Sequence, residues 1–258
     1  LDKTLIGWRS GAETLGFYDR AYQLSGRPVE TLTIPIQSVA VSTLSKLINA
    51  REDFKRYYLN ALSILAFVGM PLSAFLAIAS KDIVLLLLGP QWSAASPVFL
   101  LLSAGIGIHI LYATQGWLHI TLGRTDRWLK WGIITTPIII LAYFLGFHWG
   151  VTGVALFRTS IFLILLLPGL WYAGKPIDLK VSSIIAVIWR YALCALLAGL
   201  LCSFLVVPNL VSLNMGLRIL IAFLSYLAAY MGLIIIVFGN TAAIKKHLGL
   251  LRLLRPDR

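Results

Sequence analysis

The stretch "YYLNALSILAFVGMPLSAFLAIA", Tyr57 to Ala79, runs for 23 residues without a charge. At about 1.5 Å per residue a helix of that length reaches roughly 35 Å, enough to cross a hydrocarbon core of about 30 Å. The residues just before it, "NAREDFKR" (49–56), are almost all polar or charged. Lipid offers no partner to backbone N–H and C=O groups, so a segment this apolar and this long reads as a membrane helix.

The same rule applied outward gives seven spans, at about 28–48, 57–79, 97–121, 130–147, 151–172, 184–207 and 216–238. The fold class expected is an all-α integral membrane protein. Composition agrees: 59% of the 258 residues are hydrophobic and 12% charged, with a mean hydropathy of +0.87. A soluble domain carries about twice that charged fraction. The net charge of +12 fits Lys and Arg held on one side of a membrane better than a nucleic-acid partner, which we exclude. Cys194 and Cys202 stand eight residues apart in one apolar run, too far for a disulfide along a helix and in no metal-binding pattern. No cofactor is implied.

The breaks between spans fall into two alternating sets. "NAREDFKR", "LGRTDR" (122–127), "AGKPIDLK" (173–180) and the tail "IKKHLGLLRLLRPDR" (244–258) are basic. "LGPQWSAASP" (88–97), "FHWG" (147–150) and "VPNLVSLN" (207–214) carry no Lys or Arg. Fifteen Lys and Arg lie toward the first set, and at the other span ends stand Lys81 and Arg218. The positive-inside bias puts the first set and the C-terminus in the cytoplasm. The N-terminal segment, with Lys3, Arg9, Arg20 and Arg27, then lies on the outer face against that bias. Trp92, Trp117, Trp128, Trp131, Trp149, Trp171 and Trp189 fall near span ends, where indoles prefer to sit. Pro71 and Pro137 fall inside spans as expected kinks.

Three stretches in order carry a family resemblance: "LDKTLIG", "LGFYDRAYQLSGRPVETLTIPIQSVAVSTLSKL" and "REDFKRYYLNAL". Two further ones, "LLLGPQWSAASPVFLLLS" and "LGRTDRWLKWGI", extend it, and "WGVTGVALFRT" carries it to about residue 172. The chain resembles the second half of Wzx-type polysaccharide flippases of the MOP superfamily, within the colanic-acid-exporter-like branch of lipopolysaccharide biosynthesis proteins. The resemblance implies the C-terminal lobe of a two-lobe, MATE-like transporter. It divides into 1–27, the end of a preceding span plus an outer-face connector; 28–238, a seven-helix lobe; and 239–258, a basic cytoplasmic tail. With "LDKTLIG" reading as a continuation, the chain is expected to be a piece of a longer protein. In the connector, Tyr18 and Tyr22, with Leu15 and Leu24, would meet the acyl boundary while Asp19 and Arg20 meet headgroups, unless it is a plain surface loop.

Candidate functional residues are polar groups at membrane depth, where they are costly unless they face a cavity or a partner. Arg158 lies eight residues into span 151–172. It is read as a cation for the phosphates of a lipid-linked sugar, or else as a structural arginine. His109, Tyr112, Gln115 and His119 share one side of span 97–121, beside Gly105 and Gly116. That stripe suits a cavity wall for sugar hydroxyls or close helix–helix contact, and a histidine could carry a proton. Thr31, Ser38, Ser42 and Ser45 form a hydroxyl stripe on span 28–48, as a path lining or a packing seam. No carboxylate is expected inside a complete span.

The function expected is export of an undecaprenyl-diphosphate-linked oligosaccharide across the bacterial inner membrane by alternating access, with no enzymatic step. The expected partners are that lipid-linked glycan, membrane lipids, the missing lobe or a second copy, and other polysaccharide assembly proteins. A cation-coupled drug antiporter of the same superfamily, a membrane polymerase or ligase of glycan assembly, and a truncated non-transporting scaffold are the rival readings.

Overall fold

The charges before Tyr57 mark the start of a helix, as the sequence suggests, with Glu52 and Asp53 in its first turn where they favour the helix dipole. The computed structural model describes residues 2–238, and every regular element among them is helical. The α-helices are, in order, α1 (Asp2–Lys46), α2 (Arg51–Ile78), α3 (Ser80–Leu88), α4 (Ser96–Ala104), α5 (Ile106–Thr121), α6 (Thr125–Gly146), α7 (Gly150–Gly174), α8 (Val181–Leu201) and α9 (Met215–Phe238), with short 3-10 or π turns at several of the junctions. The basic tail expected at 239–258 lies outside the described residues.

The loops meet as the alternation requires. Arg51 pairs with Asp178 at 3.1 Å, bringing together two of the basic breaks. Arg218 pairs with Asp82 at 2.6 Å, each side chain 18% exposed, joining two span ends of the other set. One large core lies among α2, α5, α8 and α9, with Tyr58, Leu62, Leu65, Ile110, Trp117 and Tyr226 inside it. A second gathers Ile6, Tyr18, Val84, Val98, Phe99 and Val154 from α1, α3, α4 and α7.

Four stretches are long and apolar enough to cross a membrane: Arg51–Ile78, Thr125–Ile177, Val181–Leu210 and Met215–Val237. The pair Pro90–Ala104 and Ile106–Thr121, bent by 47°, makes a fifth if it counts as one span. The expected seven is not reached on these criteria. Part of the difference is a hairpin, because Thr125–Ile177 doubles back at Gly150, whose φ of 67° suits glycine. Trp131 of α6 then stacks on Tyr172 of α7 at 5.3 Å, and Arg158 reaches Tyr143. The other part is α1, whose stretch of mixed polarity is not among those four.

In α1 the structure departs from the expected connector. The helix breaks at Gly11 (φ 82°, ψ 173°) and residues 2–10 fold back, so that Lys3 pairs with Asp19 at 2.5 Å and Gly7 abuts Leu15. From residue 12 it then runs without a stop to Lys46, through Pro28 and Pro35. A proline removes one donor and bends a helix, but packed neighbours let the helix continue, so "SGRP" is no boundary. Tyr18 is fully buried in the second core instead of facing lipid; Tyr22 is half-buried and Arg20 exposed. Trp117 is likewise a core residue, whereas Trp128, Trp149, Trp171 and Trp189 are exposed in the manner of an interfacial belt.

The hairpin of α6 and α7 closes on glycines. A Cβ on Gly153 would collide with the carbonyl oxygen of Gly146, whereas one on Gly132 of α6 would meet open space. Gly153→Ala should therefore lower the melting temperature of the purified protein, with a cost of about 1–3 kcal/mol for overpacking. Gly132→Ala should leave it unchanged or raise it, since Ala favours a helix over Gly by about 0.5–1 kcal/mol. Equal melting temperatures for the two variants would contradict the close approach.

Candidate functional site

The bend between α4 and α5 is what shapes the candidate site. At the break, Gly105 N–H bonds Leu102 O instead of continuing the ladder, and carbonyls of the last turn of α4 are left over. Neighbouring helices supply the donors. Ser73 Oγ of α2 lies 2.7 Å from Ser103 O and 2.8 Å from Ala104 O, and Thr159 Oγ1 of α7 donates to Leu101 O at 2.8 Å. Thr159 also crowds Gly105, where a Cβ would come within 2.9 Å of its hydroxyl. The bend is thereby fixed, and Leu102, Ile106 and His109 all face one pocket.

That pocket, about 240 Å³, lies between α1, the α4–α5 bend and α7. Tyr22, Ser25, Gly26, Val29 and Glu30 line it from α1, and Arg158 from α7. The Arg158 guanidinium is half-buried, with Nη1 3.3 Å from Tyr143 Oη and its carbon 4.8 Å from the Tyr22 ring and 5.6 Å from the Phe162 ring. His109 packs on Phe162 at 4.2 Å. Aromatic faces stabilise a cation, and these two rings hold the guanidinium at the pocket wall. The arrangement can bind an anionic group and hydrogen-bond hydroxyls.

Of the four-residue stripe on α5, His109 alone reaches this pocket. Tyr112 accepts a hydrogen bond from Trp131 Nε1 at 2.9 Å and lies edge-on to Phe162. Gln115 is buried against Gly169. His119 is buried in a parallel stack with Trp128, beside Tyr172. These three serve the packing of α5 against α6 and α7, where Gly116 and Gly169 allow close approach. Their spacing put them on one face, but that face is a helix interface and not a cavity wall. Among the described residues Gln115 Oε1 and His119 Nε2 have no hydrogen-bond partner.

The hydroxyl stripe is no packing seam within this chain. Thr31, Ser38, Ser42 and Ser45 are all exposed, and Thr31, Ser38 and Ser45 bond carbonyls of their own helix. With Arg27, Glu30 and Gln37 they form a mostly polar, uncovered face along α1, on which Ile34 is also exposed. Asp19, the remaining connector residue, is engaged by Lys3 and Gln23.

Glu30, Ser25 and Arg27 are the residues the sequence reading missed. Glu30 lies mid-helix, against the expectation of no carboxylate inside a span. Tyr22, Gly26 and Glu30 follow at intervals of four, so a helix carried through Pro28 would have shown all three on one face. Beyond the same segment of α1 lies an apolar groove of about 710 Å³, walled by α1, α2 and α9 and including Leu24, Leu32, Phe67, Phe75, Phe223 and Met231, with Arg27 at its edge.

Comparison with known proteins agrees with this architecture. Residues 1–97 match the model of a family described as polysaccharide biosynthesis protein. Over 184 residues, the chain is 28% identical to the teichuronic acid biosynthesis protein TuaB of Bacillus subtilis, covering 71% of this chain and 38% of that protein. Its fold matches the lipid II flippase MurJ in an inward closed conformation with a TM-score of 0.65 at 17% identity, over 87% of this chain and 47% of that one. The chain thus spans less than half the length of either relative. In sequence the chain resembles polysaccharide biosynthesis proteins, in fold it resembles a lipid II flippase, and its described residues are all-helical with stretches apolar enough to cross a membrane.

The packing role assigned to the inner stripe predicts a contrast. Tyr112→Phe strands the Trp131 indole N–H in a part-buried site and should cost about 1–3 kcal/mol. Gln115→Leu removes a buried oxygen that has no partner and should cost nothing or stabilise. Thermal melts of the two variants in the same detergent check this, and a greater loss for Gln115→Leu would overturn the assignment.

Proposed function

We propose that the chain forms one wall of a flippase for a lipid-linked polysaccharide precursor, and that Arg158 meets the anionic part of that lipid. The observation that carries this reading is the placement of two unlike surfaces around one segment of α1. A pocket with a guanidinium lies on one side of residues 22–30, and an apolar groove lies on the other. An amphiphile with a charged, hydroxylated head and a long apolar chain matches both at once. The names of the relatives, one a teichuronic acid biosynthesis protein and one a lipid II flippase, support the same class of cargo.

On this reading the exposed polar face of α1, with Ser38 and Ser42, borders the path, and the opposite wall comes from a second lobe or a second copy. His109 adds a hydrogen-bonding group beside Arg158, while Glu30 at the rim keeps the pocket from being uniformly positive. The basic loops face the cytoplasm of a bacterial inner membrane, and the protein moves its cargo outward by alternating access without changing it chemically.

The test is glycan export by cells carrying Arg158→Ala in the full-length protein. A charge-assisted hydrogen bond contributes about 1.5–3 kcal/mol, so export should fall about 10- to 100-fold at an unchanged level of protein in the membrane. Arg158→Lys should keep part of the activity, because it retains the charge but not the planar fork. Undiminished export by Arg158→Ala would remove Arg158 from the path.

A further inference from the structure

Proline has no N–H, so Pro71 leaves the carbonyl of Phe67, four residues earlier, without its helical donor. In hydrocarbon such a carbonyl must find another partner. The partner here comes from a different helix: Tyr230 of α9 donates its hydroxyl to Phe67 O at 2.9 Å. Tyr230 is buried, stacked on Tyr226 at 6.4 Å with ring planes 5° apart, and 6.1 Å from the Phe67 ring. Its hydroxyl thus closes a gap in a helix to which it does not belong.

The two halves of α2 on either side of this gap make different hydrogen bonds. Before it, Tyr58 bonds Thr114 at 2.9 Å and Ser63 bonds Tyr191 of α8 at 3.2 Å. After it, Ser73 holds the carbonyls at the α4–α5 bend. Between them Gly69 and Gly107 touch with no side chain as a cushion. A change of angle at residues 67–71 would move Ser73, and the α4–α5 bend whose carbonyls it holds, relative to the first half of α2 and its bonds to Thr114 and Tyr191.

We propose that α2 hinges at Pro71 and that Tyr230 is the clasp of the hinge. With α9 seated, the hydroxyl holds α2 at one angle. When α9 shifts away, the Phe67 carbonyl is released and α2 takes another. Tyr230 is thus a positioning residue, and the device is independent of which molecule is carried.

A double-mutant cycle tests it. Tyr230→Phe alone removes the hydroxyl donor from Phe67 O and should lower the melting temperature of the full-length protein by about 2–4 °C. With Pro71→Ala in place the backbone supplies an N–H to that carbonyl, so adding Tyr230→Phe should change the melting temperature by less than about 1 °C. The motion is read separately by spin labels on Ile48→Cys and Leu87→Cys, both exposed positions flanking α2, with the buried Cys194 and Cys202 left in place. Tyr230→Phe should broaden the distance distribution, and Pro71→Ala should narrow it with or without the second change. Equal losses of melting temperature in both backgrounds, or an unaltered distribution in Tyr230→Phe, would overturn the hinge. If Pro71→Ala does not fold, the distribution of Tyr230→Phe alone decides.

Discussion

Backbone hydrogen bonding at the points where helices break is the constraint on which this structure turns. A broken helix inside lipid releases carbonyls that water cannot reach. At the α4–α5 bend they are met by Ser73 and Thr159, and at Pro71 by Tyr230. Each of these hydroxyls comes from a neighbouring helix. Hence α2 is bonded to α4 and α9, and α4 in turn to α7, so the pocket at the bend depends on residues that never line it.

That dependence explains what the sequence did and did not disclose. Hydropathy identifies α2, α8 and α9 because each is a long apolar run with a charged or turn-forming break before it. It fails at α1, where "SGRP" and interspersed charges mimic a loop. Tertiary contact overrides them: Tyr18 and Ala21 pack into a core, and the fold-back at Gly11 lets Lys3 neutralise Asp19. Arg158 was legible because a lone cation deep in an apolar run has few uses. The stripe from His109 to His119 was legible as a face, but periodicity cannot tell what a face meets. The 47° bend turns its first member toward the pocket while α6 and α7 cover the rest. Glu30 was hidden by the boundary misplaced at Pro28.

Charge is distributed so that most ionic groups lie at the two ends of the bundle. Arg51 with Asp178 closes one end and Arg218 with Asp82 the other. The exposed Arg51–Asp178 pair contributes little to stability, whereas Arg218–Asp82 is largely sheltered from solvent, and both pin helix ends that share a side. Arg158 is different. It lies between helices, away from both ends, against the rings of Tyr22 and Phe162 and the Tyr143 hydroxyl.

α1 unites these features. One side of its middle third carries Ser25 and Glu30 toward the cationic pocket, and another carries Leu24 and Leu32 toward the apolar groove. Its remaining face, from Arg27 to Ser45, is uncovered and mostly polar, with Ile34 exposed among the hydroxyls. A helix meant only to sit in lipid would not leave hydroxyls and charges on its open side, because hydrocarbon penalises them. A helix meant only to pack would bury them. What offsets that cost here is bonding within the helix: Thr31, Ser38 and Ser45 each donate to a carbonyl of α1 three or four residues earlier.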